Sequence, residues 1–228
     1  KFGSFARAQC HVVNALSGLL QTERILFCPT PYCGRMVEAK LGGENYLATV
    51  GKELSPKIDV FWTGPEIVSR EITVEHVRTV AKLLGRKPLL WDNLHANDYD
   101  GRRFYVGPYS GRPPELKNEV AGILSNPNCE FELNYTPIRT LADFIHDQEK
   151  NPRERYLEAM RAWFAQFKTV RGEIDFEELV LLGDCFYLPF EDGNEAQHLF
   201  KQIEILLRTG GTLPEAIALR DLRDLCTR

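Results

Sequence analysis

No run in this 228-residue sequence approaches the roughly 18 apolar residues that cross a bilayer, and no charged-then-apolar leader opens it. Neither a membrane span nor a secretory leader is expected. Positive charge is not in excess: 28 Lys and Arg stand against 32 Asp and Glu, for a net charge of -4 and a pI near 5.8. That balance gives no general attraction to phosphate backbones, so nucleic acid is not an expected partner. Six cysteines in a chain of this length do not make a disulfide scaffold. Cys28 and Cys33 have no second Cys/His pair nearby to complete a tetrahedral zinc site. Buried free thiols in a reducing compartment are the simpler reading, which points to the cytosol or nucleus. There is no low-complexity tract, and no initiating Met precedes Lys1, as expected of a piece of a longer protein.

What the chain does hold is a composition that folds: 43% hydrophobic residues, with thirteen Phe, eight Tyr and three Trp. Strand-like apolar runs occur at Ile25 to Cys28, Ile58 to Trp62, Leu89 to Trp91 and Ala121 to Leu124. They recur roughly every 32 residues, against about 31 per βα unit of a (β/α)8 barrel of about 250 residues. Helical patterns separate them. Thr73 caps a segment whose Val74, Val77, Val80, Ala81 and Leu84 share one face, and Gly85 ends it. Ser4 to Leu20 and Gly43 to Leu54 are further candidates, and Thr136-Pro137 reads as an N-cap followed by Pro at N1. Alternation of this kind implies an α/β fold, the C-terminal half of a (β/α)8 TIM barrel over residues 1–150.

After Asn151-Pro152 the strand signals stop. Helices are expected at Arg153 to Lys168, at Asp175 to Tyr187 with Asp175 and Glu178 placed as a capping box, at Asn194 to Arg208 and at Leu213 to Leu225. Thr169 to Ile174 is the expected linker. Residues 151–228 thus read as an all-helical region.

In barrels, chemistry collects where strands end. The four ends here are Pro29-Thr30-Pro31-Tyr32, Thr63-Gly64-Pro65, Asp92-Asn93 through Asp98-Tyr99, and Ser125-Asn126-Pro127-Asn128, all expected on one rim. The third belongs to W-D-N-L-H-A-N-D-Y-D, Trp91 to Asp100, with three Asp, two Asn, one His, one Tyr and one Trp. As metal ligands, Asp92, Asp98, Asp100 and His95 match neither the spacing of an EF-hand loop nor a two-His helix motif. As a general acid or base, Asp98 needs a partner carboxylate that sequence cannot place. Asp92, Asn97 and Asp100 read as Asx-turn formers that shape a long loop. Trp91 beside Asn93, Asp98 and Tyr99 suits a sugar, whose C–H face packs on an apolar ring while its hydroxyls need donors and acceptors. Tyr32 and Asn126 are rim candidates with the same polar character. Cys28 and Cys129 have no basic partner in sequence and read as packing residues.

Five motifs occur in order: L-F-C-P-T-x-Y-C-G from Leu26, W-T-G-P-x-x-V-S from Trp62, W-D-N-x-H-A-N-D-Y-D from Trp91, G-P-Y-x-G-R from Gly107 and N-P-N-C-E-F-E-x-N-Y from Asn126. Together they resemble glycoside hydrolase family 84, the O-GlcNAcases, and the likeness returns at Leu179 to Glu191, which resembles the start of that family's helical stalk domain. The resemblance implies removal of β-linked N-acetylglucosamine from Ser and Thr of nuclear and cytoplasmic proteins, without a cofactor or metal. It implies substrate-assisted retaining catalysis, in which the sugar's 2-acetamido oxygen attacks the anomeric carbon while two adjacent Asp assist. This chain has no Asp-Asp pair. The pair is expected upstream, in an N-terminal half of the same enzyme, so no catalytic residue is assigned here. Carried over instead are substrate-binding roles: Asp98 for the 4- and 6-hydroxyls, Asn126 for the 3/4-hydroxyl edge, Asn93 and Tyr32 near the acetamido group, Trp91 as the wall of its methyl pocket, and Tyr99 on the rim. The same resemblance implies a homodimer through the stalk and O-GlcNAc-modified proteins or peptides as partners. A non-catalytic glycopeptide-binding or scaffold protein that dimerises through its helical region is the alternative, and a metal-dependent barrel enzyme ranks below both.

Overall fold

The computed structural model describes residues 1–20, 24–146, 150–167 and 173–209. Contacts divide the chain into two compact units, one made of residues 1–94 and 111–126, the other of residues 95–110 and 127 onward.

The first unit is an α/β layer. Strands β1 (Ile25–Phe27), β2 (Ile58–Trp62), β3 (Leu89–Asp92) and β4 (Gly122–Ser125) form one parallel sheet in the order β1-β2-β3-β4. Helix α1 (Phe5–Leu19) precedes it, α2 (Gly34–Glu38) and α3 (Tyr46–Glu53) join β1 to β2, and α4 (Val74–Leu84) joins β2 to β3. Local chemistry sets these boundaries. The Ser4 hydroxyl accepts from the Arg7 amide to start α1, and Thr73 accepts from His76 to start α4. Gly85, at φ +62°, ends α4 in the left-handed region where a side chain costs most. Helix α2 escaped the sequence reading, because five residues are too few to display a periodicity.

Register decides what the sheet buries. Ile25 pairs with Ile58 and Phe27 with Val60, so these side chains share a face with Trp62 and Leu90, which pair with each other. Helices α3 and α4 cover Ile58, Val60 and Trp62 through Tyr46, Leu47, Val50, Val80 and Leu84, all buried. Each fully buried aliphatic side chain of this kind contributes about 1.5–3 kcal/mol. The opposite face carries Leu26, Phe61, Leu89, Trp91 and Leu124. Phe61 and Leu89 are buried, whereas Leu26, Trp91 and Leu124 remain exposed.

The second unit is helical in its described part: α5 (Tyr135–His146), α6 (Pro152–Phe164), α7 (Phe176–Cys185) and α8 (Asn194–Thr209). Complete capping boxes open α6 (Asn151 with Glu154) and α7 (Asp175 with Glu178). Thr136 does not cap α5: the helix starts one residue earlier, running on from a 3-10 turn at Phe131–Asn134. Asn134 takes the local bonding role, receiving the Asn128 amide and donating to the carbonyls of Asn128 and Glu130, and Thr136 is buried beside Met160. Within this unit, residues 95–110 pair with the end of α7, since the Val106 and Gly107 amides donate to the Phe186 and Tyr187 carbonyls at 2.8 and 2.7 Å. The expected helix from Leu213 to Leu225 and most of the expected linker lie outside the described residues.

Candidate functional site

The four strand ends of the sheet are built by their own hydrogen bonds. After β1, the Thr30 amide donates to the Tyr46 hydroxyl at 3.1 Å, and that hydroxyl donates to Gln9 of α1. Gln9 also donates to the Thr30 hydroxyl at 3.1 Å. The turn so pinned delivers Tyr32, whose carbonyl accepts from the Thr63 amide at the end of β2 at 2.9 Å. Burial raises the Tyr32 phenol above its ordinary pKa, so at neutral pH it keeps its proton and is a hydrogen-bond donor.

Strand β3 ends in Trp91, Asp92 and Asn93, which take three different environments. Trp91 is 38% exposed and meets Phe61 edge to face, ring centroids 4.9 Å apart. Asp92 is 1% exposed and bound by Arg112, whose Nε and Nη2 donate to its two oxygens at 2.7 and 2.6 Å. It also accepts from the Leu94 amide at 3.1 Å, the Asx turn expected of it. Asn93, 8% exposed, donates through Nδ2 to the Ile67 carbonyl at 2.7 Å. Its Oδ1 accepts from Asn126 Nδ2 at 3.0 Å, and the Asn126 backbone amide in turn donates to the Asp92 carbonyl at 2.8 Å. Tyr32, Trp91, Asn93 and Asn126 all belong to the first unit, and Asn93 and Asn126 are joined directly.

Asp98 and Tyr99 belong to the second unit, on a loop organised by its neighbours. Asn97 donates to the Arg103 carbonyl and to Glu130, both at 2.7 Å, and accepts from the Cys129 amide at 2.8 Å. The Asp100 carboxylate accepts from the Arg102 amide and guanidinium. Both residues are thus loop formers, as their positions implied. The buried His95 ring donates to the Gly107 carbonyl at 2.9 Å, since a carbonyl can only accept. With Asp92 held by Arg112 and His95 by Gly107, neither is presented as a metal ligand. Among the described residues no group of three or more His, Cys, Asp or Glu is placed to hold a metal ion. Asp98 is exposed, and Tyr99 is 57% exposed with its hydroxyl 3.4 Å from that of Tyr105. Burial of the phenol oxygen, the Tyr105 bond and the Tyr105 charge raise the Tyr99 pKa, so it too stays protonated at neutral pH.

Two expectations change. Cys28 and Cys129 are exposed rather than packed. Arg112, the last residue of G-P-Y-x-G-R, stood out in sequence as part of a motif, but its partner Asp92 lies 20 residues upstream and only the fold reveals the pairing. Nothing in the sequence singles out the Ile67 carbonyl, since it is backbone.

Chemically, the groups at the strand ends are hydrogen-bonding side chains beside an apolar ring, the types that can orient a polyhydroxylated ligand. In the first unit these are a half-exposed indole, two linked side-chain amides and a protonated phenol; the second unit carries a protonated phenol at Tyr99 and an exposed carboxylate at Asp98.

The profile of the β-N-acetylglucosaminidase family matches residues 1–182. The protein O-GlcNAcases of Rattus norvegicus and Mus musculus are each 51% identical over 154 residues, which is 67% of this chain and 17% of theirs. The chain therefore spans less than a fifth of the curated relatives it matches. Among solved structures, a mutant form of the O-GlcNAc hydrolase of Thermobaculum terrenum superposes with a TM-score of 0.69 at 28% identity, covering 97% of this chain and 47% of that one. CpGH84B superposes with a TM-score of 0.71 at 20% identity, covering 90% and 36%, a likeness of fold. From the match over most of its length, the chain belongs to the β-N-acetylglucosaminidase family.

Proposed function

We propose that this chain supplies the sugar-binding half of the active site of a protein O-GlcNAcase, a glycoside hydrolase that removes β-linked N-acetylglucosamine from Ser and Thr of nuclear and cytoplasmic proteins. The observation that carries this reading is the Asn126–Asn93–Ile67 chain of hydrogen bonds. It holds two amides in one orientation at adjacent strand ends, as recognition of a sugar's hydroxyl and acetamido groups requires. Tyr32 is a donor near the acetamido group, and Trp91 is the wall against its methyl. Asp98 accepts from the 4- and 6-hydroxyls, with Tyr99 at the rim.

In this reading residues 1–150 are the C-terminal half of a (β/α)8 barrel and residues 151–228 a segment of the stalk. The support is a parallel sheet in sequence order, and one sheet face on which Leu26, Trp91 and Leu124 are exposed. Strands at both edges of such a sheet present backbone groups that further strands would satisfy. An N-terminal half supplies those strands and the Asp pair that this chain lacks. Catalysis is substrate-assisted and retaining: the acetamido oxygen closes an oxazoline on the anomeric carbon, one Asp polarises the acetamido group, and the other protonates the leaving oxygen and then activates water. The stalk joins two copies as a homodimer, and the enzyme works in the cytoplasm and nucleus.

The absence of any Asp-Asp pair also favours a second reading, a glycopeptide-binding or scaffold protein without turnover. Hydrolysis of a chromogenic β-N-acetylglucosaminide separates the two, measured for the chain alone and for the chain mixed with an N-terminal half of the family. Turnover only in the mixture is expected. Binding without turnover in both would establish the second reading, and turnover by the chain alone would refute the division of labour.

A further inference from the structure

We propose that Arg112 is a positioning residue for the paired amides of Asn93 and Asn126, a role that rests on the sugar-binding function proposed above. The guanidinium makes four bonds to two places. Nε and Nη2 hold the Asp92 carboxylate, the residue before Asn93, while Nη2 and Nη1 donate to the carbonyls of Ser69 and Arg70, each at 3.0 Å. Both ionised side chains are buried, Arg112 at 0% and Asp92 at 1% side-chain exposure. One planar group thus ties the end of β3 to the segment that follows β2.

That segment carries the atom that orients Asn93. The Ile67 carbonyl can only accept, so it selects the amide rotamer that turns Nδ2 toward itself and Oδ1 toward Asn126. Asn126 must then present Nδ2 to Asn93, which turns its own Oδ1 away as an acceptor for a ligand hydroxyl. Two residues beyond Ile67, the Ser69 hydroxyl donates toward the Thr63 and Glu66 carbonyls at 3.0 Å and accepts from the Glu66 amide. The Ser69 carbonyl is one of the two that Arg112 holds. Gly111 makes the approach possible: at φ +72°, an added Cβ would lie 2.1 Å from the Arg70 carbonyl oxygen. The Gly111 carbonyl accepts from Ile72 at 2.9 Å. Removing Arg112 removes the tie between the carboxylate and both carbonyls, and with it the fixed distance from Asn93 to Ile67. Lysine is no substitute, because one ammonium cannot span a carboxylate and two carbonyls in one plane.

The test uses the 228-residue chain with Arg112→Lys, and with the double substitution Arg112→Met with Asp92→Leu, which removes both buried charges together and keeps the site packed if the single variant does not fold. Side-chain NH2 signals of Asn93 and Asn126 are identified in nitrogen–proton correlation spectra by their loss in Asn93→Ala and Asn126→Ala. In either folded variant, exchange of the Asn93 NH2 with water should quicken by roughly tenfold or more, with backbone signals of α6 to α8 unmoved. With the N-terminal half added, kcat for the chromogenic substrate should fall further than any change in thermal midpoint explains, and Arg112→Lys should not rescue it. Unchanged Asn93 and Asn126 signals in a folded variant would overturn the positioning role. Shifted signals with a wild-type mixture that never hydrolyses the substrate would leave that role standing and remove the enzymatic reading instead.

Discussion

Asn126 donates its side-chain amide to Asn93 Oδ1 at 3.0 Å, joining two residues 33 positions apart in sequence. The bond makes each amide the other's template. Replacing Asn126 by Asp keeps the shape but removes the donor and sets a carboxylate oxygen against the Asn93 oxygen. In the complemented enzyme, Asn126→Asp should therefore lower kcat/KM at least as much as Asn126→Ala. For Asn126→Ala a loss of about twofold to tenfold is expected, from one neutral hydrogen bond at about 0.5–1.5 kcal/mol. Steady-state kinetics of the two variants check the order.

Asp98 lies exposed in the second unit. Asp98→Ala should leave the free energy of unfolding within about 0.5 kcal/mol of the parent. In the complemented enzyme, each charge-assisted bond of about 1.5–3 kcal/mol lost to a sugar hydroxyl should lower kcat/KM roughly tenfold to a hundredfold. Denaturant unfolding and hydrolysis, measured on the same preparation, separate the two effects. A large loss of stability would show that Asp98 supports the fold instead.

How far these features are legible in sequence depends on the distance between cause and effect along the chain. Strands β1 to β4 and helix α4 follow from adjacent residues, such as the apolar runs, Thr73 and Gly85, and the structure places them within a residue of expectation. The Asp175–Glu178 box is equally local, whereas the Asn151–Glu154 box is no part of the sequence expectation and starts α6 at Pro152 rather than Arg153. The start of α5 misleads, because Thr136-Pro137 carries a valid cap signal that the preceding 3-10 turn overrides. Asp92 was legible as an Asx turn and illegible as half of a buried ion pair, since the turn needs Leu94 and the ion pair needs Arg112. For the candidate site, residue types and strand-end positions were readable. The bonds that orient them, to the Ile67 carbonyl and between Asn93 and Asn126, were not.

His76 gives a pH dependence whose sign follows from its surroundings. Burial holds its imidazole below the ordinary value of 6.5, and its Nε2 accepts from the Trp62 indole at 2.9 Å, which requires the neutral ring. The folded state therefore binds a proton less readily than the unfolded state. The stability contributed by neutral His76 is complete above about pH 6.5 and is lost as pH falls through the lower folded value. Denaturant midpoints measured across that window should drop more steeply for the parent than for His76→Phe, which has no ring nitrogen to protonate and is less stable at neutral pH. Parallel curves would refute the assignment.

Gly51 sits where α3 meets α4, and an added Cβ would lie 2.2 Å from the Leu83 carbonyl oxygen. Alanine favours helices by about 1 kcal/mol over glycine, so propensity alone makes Gly51→Ala stabilising. Backbone cannot yield as a flexible side chain does, and overpacking of this kind costs about 1–3 kcal/mol. A net destabilisation is expected by thermal or denaturant unfolding, together with shifted backbone signals at Leu83 and Leu84.

In the second unit, buried Asp184 accepts two bonds from Arg153, at 2.6 and 2.9 Å, and one from the Glu195 amide at the start of α8 at 2.9 Å. Asp184→Ala strands a largely buried guanidinium and unfastens the beginning of that helix. The expected loss is about 3–5 kcal/mol, visible in denaturant unfolding. Arg153→Met with Asp184→Leu should recover a large part of it, because the pair then leaves no unmatched charge.

Finally, the chain passes between its two compact units at three points, after Leu94, Ser110 and Asn126. Neither unit is a continuous stretch of sequence, so no single crossover in a recombining gene could exchange one of them and leave the other whole. A chain stopped at Asn126 would retain all four strands and would also retain residues 95–110, now without Thr140 of α5 and the Phe186 and Tyr187 carbonyls after α7 that receive Tyr109, Val106 and Gly107. Tyr105, Val106 and Tyr109, buried in the intact protein, would become an adhesive tract in its middle. The loop at residues 95–110 therefore depends for its packing on helices that follow it in the chain.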